Sequence, residues 1–541
     1  MSTTIITTPG IATHKRAAVD WKWVVIGACV AFTIYIAVIP LAFLFWQSFR
    51  TPQTATVPAV WTLGNYAAAY GTSETFRLFL TSVQFAFGAS FFSFAVGTTL
   101  AWMNERTNTP FKSIFYALSL IPLVIPSILF TVAWILLASP QIGIINQLDI
   151  YSLGGMIWVD GLHYSPMAFL LMSAAFRAMD PSLEESATMS GASVWQVLWR
   201  VTLKLTWPAI FATILILFVR SIESFEVPAL LGLPVGIEVF TSSIYTAIHR
   251  YPSQVGLASA YGVALLAITT VGVYAVARLS GKGSKYATMT GKGFRPRQID
   301  LGAWRWATAS GFILYFVLIV VLPFLVLLWS SFQHFYTVPS REALRNLSSA
   351  TVVMLVTSVI CWLVVKTKIP GRWLLDNIAS LPLVFPGIVL GLAIMIFYLN
   401  VDIGIYGTIW IMFIAYITRF MPYGMRYNTT SMLQIHTELE ESAAMCGASW
   451  TTTFRRIVLP LLKPALVAGW IYVMIVSIRE LSTSILLYSP DTRVVSIVIW
   501  ELWQNGQYVE LSALGVLFIL LLFVLVLIAR WVGGKYGIRE A

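Results

Sequence analysis

Of the 541 residues, 58% are hydrophobic and only 11% are charged, and the mean hydropathy is +0.80. That charged fraction is about half the usual one for a soluble chain, so a lone soluble enzyme, a disordered chain and a disulfide scaffold are excluded. Cys29, Cys361 and Cys446 lie too far apart for a CxxC pair. The net charge of +11 reads as basic loops of a membrane protein rather than as nucleic-acid binding.

Apolar runs of about 20 residues, each long enough to cross the hydrocarbon at 1.5 Å per residue, predict an all-α polytopic membrane protein with about twelve spans. The first six lie near 22–47, 78–103, 114–138, 157–176, 207–222 and 256–278. The second six lie near 304–330, 349–365, 376–399, 404–423, 464–482 and 511–530. The fourth is the most polar, with Asp160, His163 and Tyr164, and the fifth is short and contains Arg220. The first run is too long for a cleavable signal and has no small-residue cleavage site after it.

With the N-terminus inside, 26 of the 34 Lys and Arg fall on cytoplasmic segments, so both termini are expected in the cytoplasm. Residues 1–21 are expected to form an N-terminal tail, 22–279 a first half, 280–303 a basic linker, 304–531 a second half, and 532–541 a C-terminal tail. The glycines and cations around 278–305 suit a flexible linker in contact with solvent or membrane lipid. Its GKG pairs lack the Gly-x4-Gly-Lys-Ser/Thr spacing of a phosphate loop.

The halves repeat each other. LEESATMSGAS at 183–193 and LEESAAMCGAS at 439–449 agree at nine of eleven positions, 256 residues apart. The same offset pairs Pro166 with Pro422 and Pro208 with Pro464. Pro122 and Pro126 return as Pro382 and Pro386 at an offset of 260, and PLAFLFWQSF from Pro40 returns as PFLVLLWSSF from Pro323 at 283. Six spans per half is an even number, so the repeats are parallel rather than inverted. The proline pairs read either as fixed kinks or as unwound stretches beside a pore.

The repeated motif falls in two loops, 180–206 and 436–463. It reads Glu441-Ser442-Ala443, three residues, Gly447, nine residues, then Ile457-Val458-Leu459-Pro460. The first copy reads Glu185-Ser186-Ala187, Gly191 and Val201-Thr202-Leu203-Lys204 at the same spacing. Ser182 with Glu185, and Thr437 with Glu440, have the spacing of capping boxes. Gly191 and Gly447 permit a sharp turn, after which Ser193 and Ser449 can cap a second helix. Trp195, Val197 and Leu198, and Trp450 and Phe454, form an apolar set suited to a buried partner contact. The alternative is an amphipathic helix pair lying on the bilayer or on its own bundle.

This pattern resembles the EAA loop of ABC-importer permeases, the inner-membrane components of binding-protein-dependent transport. It departs in having Ser for the first Ala in both copies and Lys204 where the pattern has Pro. The resemblance covers nearly the whole chain. It implies two cytoplasmic ATPase subunits docking on the loops through Glu185, Ala187, Gly191, Glu441, Ala443 and Gly447, and a periplasmic solute-binding protein opposite. It also implies a bacterial inner-membrane location, no nucleotide or cofactor bound by this chain, and no catalytic residues. The segments Ser477–Pro490 and Arg220–Gly232 are similar to fused ferric-iron permeases. Thiamine or a phosphonate remains open as cargo, and a gradient-driven transporter is the less favoured class.

Arg220, Glu223, Glu226, Arg479 and Glu480 are ionisable residues in or at the ends of spans, where such groups are costly. Arg220 and Glu223 are three apart and can pair on one helix face. Arg479 and Glu480, being adjacent, need separate partners. These charges either pin core helices together or line the cargo path. No His/Cys cluster has metal-ligand spacing.

Overall fold

The computed structural model describes residues 21–52, 58–119, 121–180, 182–282, 298–332, 343–366 and 372–535. The N-terminal tail, most of the linker and the end of the C-terminal tail lie outside them. Among the described residues the chain is helical, and its only extended pairings are two isolated bridges, Arg50 with Trp61 and Thr107 with Ile299.

Among the same residues, six helices are long and apolar enough to cross a membrane: Val24–Ser48, Ser73–Arg106, Val255–Arg278, Trp304–Ser331, Phe454–Ile478 and Tyr508–Ile528. Four bent helix pairs raise that number to ten if each is one span. The expected spans at 157–176 and 404–423 are the helices Leu153–Ala178 and Ile409–Gln434, both more polar. The span expected at 349–365 lies in the shorter apolar helix Ala350–Lys366. Leu517, Leu520, Phe523, Val524 and Ile528 are exposed along one helix, an apolar surface with the character of a lipid-facing one.

The spans expected at 114–138 and 376–399 are not straight. Each breaks at its second proline: Lys112–Val124 meets Ser127–Ala138 at 95°, and Arg372–Val384 meets Gly387–Asn400 at 109°. Pro126 and Pro386 are extended, with ψ of 138° and 139°. A proline has no N–H to give and its ring clashes with the preceding turn, so the helix stops and restarts in a new direction. The restarted helices are deeply enclosed. Every residue of Ile128–Ala138 and of Gly387–Tyr398 is buried, as their predominantly apolar sequence requires; the Thr131 hydroxyl is satisfied by the Ser127 carbonyl at 2.8 Å.

Two π-helical turns, Ile34–Val38 and Val317–Val321, lie 283 residues apart and just before Pro40 and Pro323. Pro40 leaves the Ile36 carbonyl without its helical donor, and the Thr418 hydroxyl of the second half lies 3.4 Å from it.

That contact belongs to an exchange between halves. The first long helix packs on the second half, with Tyr35 hydroxyl 3.2 Å from Tyr398 and Phe43 5.1 Å from Phe397. Helix Trp304–Ser331 packs back on the first half, with Tyr315 hydroxyl 2.9 Å from Ser165 and Phe312 stacked on Phe115 at 4.7 Å. The end of the linker is pinned on the way: Ile299 donates its N–H to the Arg106 carbonyl at 2.9 Å, and Asn108 returns one to Ile299 at 3.0 Å.

Candidate functional site: two motif loops and a charged interface between halves

The motif loops fold alike because their sequences are alike. Helices Ser182–Met189 and Glu438–Met445 each end at a glycine with positive φ, 85° at Gly191 and 77° at Gly447. The closing bonds match at an offset of 256. Gly191 N–H donates to Thr188 and Ala192 to Ala187; Gly447 donates to Ala444 and Ala448 to Ala443, all between 2.9 and 3.1 Å. These 5→2 and 6→1 bonds are a Schellman close, which needs a left-handed residue and so favours glycine. Ser193 then makes a full capping box with Gln196, and Ser449 Oγ accepts from Thr452 N–H at 3.4 Å. A π-helical turn comes next in both loops, at Leu198–Thr202 and Phe454–Val458. Lys204 in place of proline therefore leaves that turn unchanged. The loops part company only beyond it: the first bends by 73° into Trp207–Ile222, whereas Phe454–Ile478 runs on as one helix.

Two expectations fail here. The boxes at Ser182/Glu185 and Thr437/Glu440 do not form. Ser182 gives its N–H to Asp180 at 2.9 Å, and Thr437 makes no side-chain cap. The Ser182 bond holds the Asp180 carboxyl below its usual range. Val197 is no exposed anchor either, being 3% exposed. Trp195 is exposed as expected, and the Trp450 side chain lies outside the described residues. Among the described residues of the two loops, the most exposed apolar side chains are Met189 and Met445, 87% and 90% exposed at equivalent positions. The repeat contains both, but methionine in a sequence reads as packing. Glu185 is half-buried and Glu441 exposed.

The charged residues singled out in the sequence meet between the halves. Glu223 sits between two guanidiniums, Arg220 at 3.8 Å and Arg419 at 3.9 Å. Arg220 donates to the Tyr423 hydroxyl of the second half at 3.2 Å. Glu226 accepts from the Ser482 hydroxyl at 3.3 Å. Arg479 donates to the Leu123 carbonyl at the first proline break, and Arg419 to the Phe385 carbonyl at the second. The breaks free carbonyls from helical bonding, and these arginines satisfy them. Glu480 accepts from the Thr483 N–H and hydroxyl at 3.1 and 2.9 Å. Arg479 and Glu480 thus take separate partners, as adjacency requires. Arg419, which a count of charges by loop places in the cytoplasm, is instead inside helix Ile409–Gln434. Asp160 is fully buried beside Ser221 and Ser224.

At the offset that superposes the loops, these positions do not match: Glu223 corresponds to Arg479, Ser224 to Glu480, Glu226 to Ser482, and His163 to Arg419. The loops are alike in the two halves, whereas the interface residues are complementary.

Two copies of a helical unit, each carrying one glycine-closed loop and meeting across broken helices, define a membrane permease. The chain belongs to the family of binding-protein-dependent transport system inner membrane components, whose family model matches residues 93–283 and 354–535, one loop in each. It is 25% identical over 425 residues to the ferric transport system permease protein FbpB of Actinobacillus pleuropneumoniae, covering 72% of this chain and 60% of that protein. It is 23% identical over 441 residues to the Fe(3+)-transport system permease protein FbpB 2 of Haemophilus influenzae, covering 79% and 84%. A 2-aminoethylphosphonate transport system permease protein of Salmonella choleraesuis is 26% identical over 175 residues, 32% of this chain and 64% of that protein.

Proposed function

We propose that this chain is the transmembrane permease subunit of an ATP-driven importer, with two fused six-span halves and both termini cytoplasmic. Each loop docks one ATPase subunit, through Glu185, Ala187 and Gly191 in the first half and Glu441, Ala443 and Gly447 in the second. A binding protein delivers cargo from the opposite face. The chain performs no covalent chemistry and binds no cofactor; ATP is consumed by the partner subunits. The observation that carries this reading is the duplicated loop, closed by the same hydrogen bonds 256 residues apart. Paired loops suit paired subunits whose closure draws them together.

Ferric iron is the proposed cargo, because the ferric relatives match across both halves and the phosphonate relative across one third of the chain. The interface charges hold the halves together around the cargo path. Carboxylates and hydroxyls there make only weak contacts to a passing hard cation, as conduction requires.

A crosslinked pull-down from native membranes tests class and cargo together. Recovery of an ATPase with a binding protein carrying Fe(III) is expected. A thiamine- or phosphonate-loaded partner overturns the cargo, and recovery without any ATPase overturns the importer. Charge reversal at Glu185 and Glu441 together is expected to abolish uptake while the protein still inserts.

A further inference from the structure

The eight-residue motif helices Ser182–Met189 and Glu438–Met445 contain no buried residue. No apolar packing of their own fixes them to the membrane helices, yet any force from a docked subunit must pass through them. One side chain in each reaches back. Arg106 ends helix Ser73–Arg106 and is 3% exposed. Its Nη1 lies 3.4 Å from Glu184 Oε2, and its Nη2 donates to the Phe176 carbonyl at 2.7 Å and reaches that of Met179 at 3.4 Å. Glu184 also accepts from the Thr202 hydroxyl, beyond the glycine turn. In the second half Lys366 ends helix Ala343–Lys366. Its Nζ lies 3.2 Å from Glu440 Oε1 and donates to the Ile435 carbonyl.

These are the same joint built twice. Glu184 and Glu440 are 256 residues apart, as are Met179 and Ile435; Arg106 and Lys366 are 260 apart, the offset of the nearby prolines. The cation changes from guanidinium to ammonium, and Arg106 has a further bond to the Phe176 carbonyl, but a carboxylate and a helix-end carbonyl at equivalent positions are kept. The Glu184 and Glu440 side chains are 12% and 17% exposed, so each charge is largely withdrawn from water and depends on its partner. Successive helical residues point about 100° apart. Glu184 and Glu440 reach their cations on the membrane helices, while Glu185 and Glu441 point elsewhere, Glu185 half-buried and Glu441 exposed.

We infer that Arg106–Glu184 and Lys366–Glu440 are struts that make each motif loop move as one body with the end of a membrane helix, so that Glu184 and Glu440 position the loop rather than bind the ATPase. This rests on the reading of the loops as ATPase docking sites. In the first half the strut also carries the linker, since Ile299 bonds to the Arg106 carbonyl.

The test uses the full complex in proteoliposomes, with Fe(III) radiolabelled and loaded on the binding protein. Glu184→Gln with Glu440→Gln is expected to lower uptake at least about tenfold, with the ATPase subunits still co-purifying and ATP still hydrolysed, so that more ATP is spent per ion. Lys366→Arg, which keeps charge and reach, retains uptake, while Lys366→Gln does not; a general folding defect would not track charge in that order. Uptake within about twofold of the parent in the Gln pair, or loss of the ATPase subunits from it, overturns the strut. Glu185→Lys with Glu441→Lys separates the two claims. If that pair abolishes uptake while the Gln pair leaves it intact, only the strut is wrong. If neither affects uptake, the docking reading itself fails.

Discussion

Replacing Glu223 by Gln strands two guanidiniums. The Glu223 carboxylate lies 3.8 Å from Arg220 and 3.9 Å from Arg419, and the three side chains are 7%, 29% and 12% exposed. At an effective dielectric constant of about 20, one unit pair at this separation attracts by roughly 4 kcal/mol. The net loss is smaller than two such terms, because Arg220 keeps Tyr423 and Arg419 keeps the Phe385 carbonyl. Breaking a buried pair costs about 3–5 kcal/mol, and the partial exposure of Arg220 argues for the lower end. The full chain in nanodiscs, monitored by tryptophan fluorescence on heating, should melt on the order of 5 °C lower. Arg419→Gln in the same background should recover part of that loss, since it removes one stranded charge. A midpoint within about 1 °C of the parent's would refute the argument, as would a double variant no more stable than Glu223→Gln alone.

Geometry sets three further outcomes. A Cβ on Gly191 or Gly447 meets nothing within 4 Å, so Val there costs only backbone strain, about 1–2 kcal/mol; uptake should fall with Val and be largely kept with Asn, which tolerates the left-handed turn. A Cβ on Gly97 would sit 2.5 Å from that of Ala168 and 2.6 Å from the Ser165 carbonyl, so Gly97→Leu should separate two packed helices and lower the yield of monodisperse protein, a loss of about 3 kcal/mol or more. The Asp180 carboxyl is held below its usual range by Ser182, so its contribution is present above the ordinary carboxylate pKa and lost as pH falls through the lowered value. Hydrogen-exchange protection at Ser182, corrected for intrinsic rate, should therefore stay constant from about pH 5 to 8 and disappear in more acidic buffer; Asp180→Ala should abolish it throughout.

Local chemistry was legible in the sequence and long-range pairing was not. Gly191, Gly447 and Ser193 announced their turn and cap because those residue types solve a problem within five residues of themselves. Pro122 and Pro126 marked the breaks, but a proline does not state the angle, which depends on what the restarted helix packs against. The block of eleven residues pointed to Glu185 and Glu441, whereas their neighbours Glu184 and Glu440 turned inward. Their partners Arg106 and Lys366 lie some 75 residues upstream, and only their shared offset of 260 hints at them. Thr437 lost its box because Glu440 found a cation, a tertiary contact that outweighs a cap of about 1 kcal/mol. Arg419 escapes a count of charges by loop, because such a count assigns each charge to water. The packing of each first helix on the opposite half has no local signal at all.

That exchange has a consequence for assembly. Each half leaves part of its apolar surface to a helix supplied by the other, so the two would stay together without a covalent tie. What the join between them supplies is parity. Two copies of the first half would place His163 where Arg419 now faces Glu223, and would set Glu223 where Arg479 caps the Leu123 carbonyl. Such a like-with-like pair would hold surplus carboxylates in its interface and no arginine at either break. One continuous polypeptide guarantees that every pore receives one half of each kind.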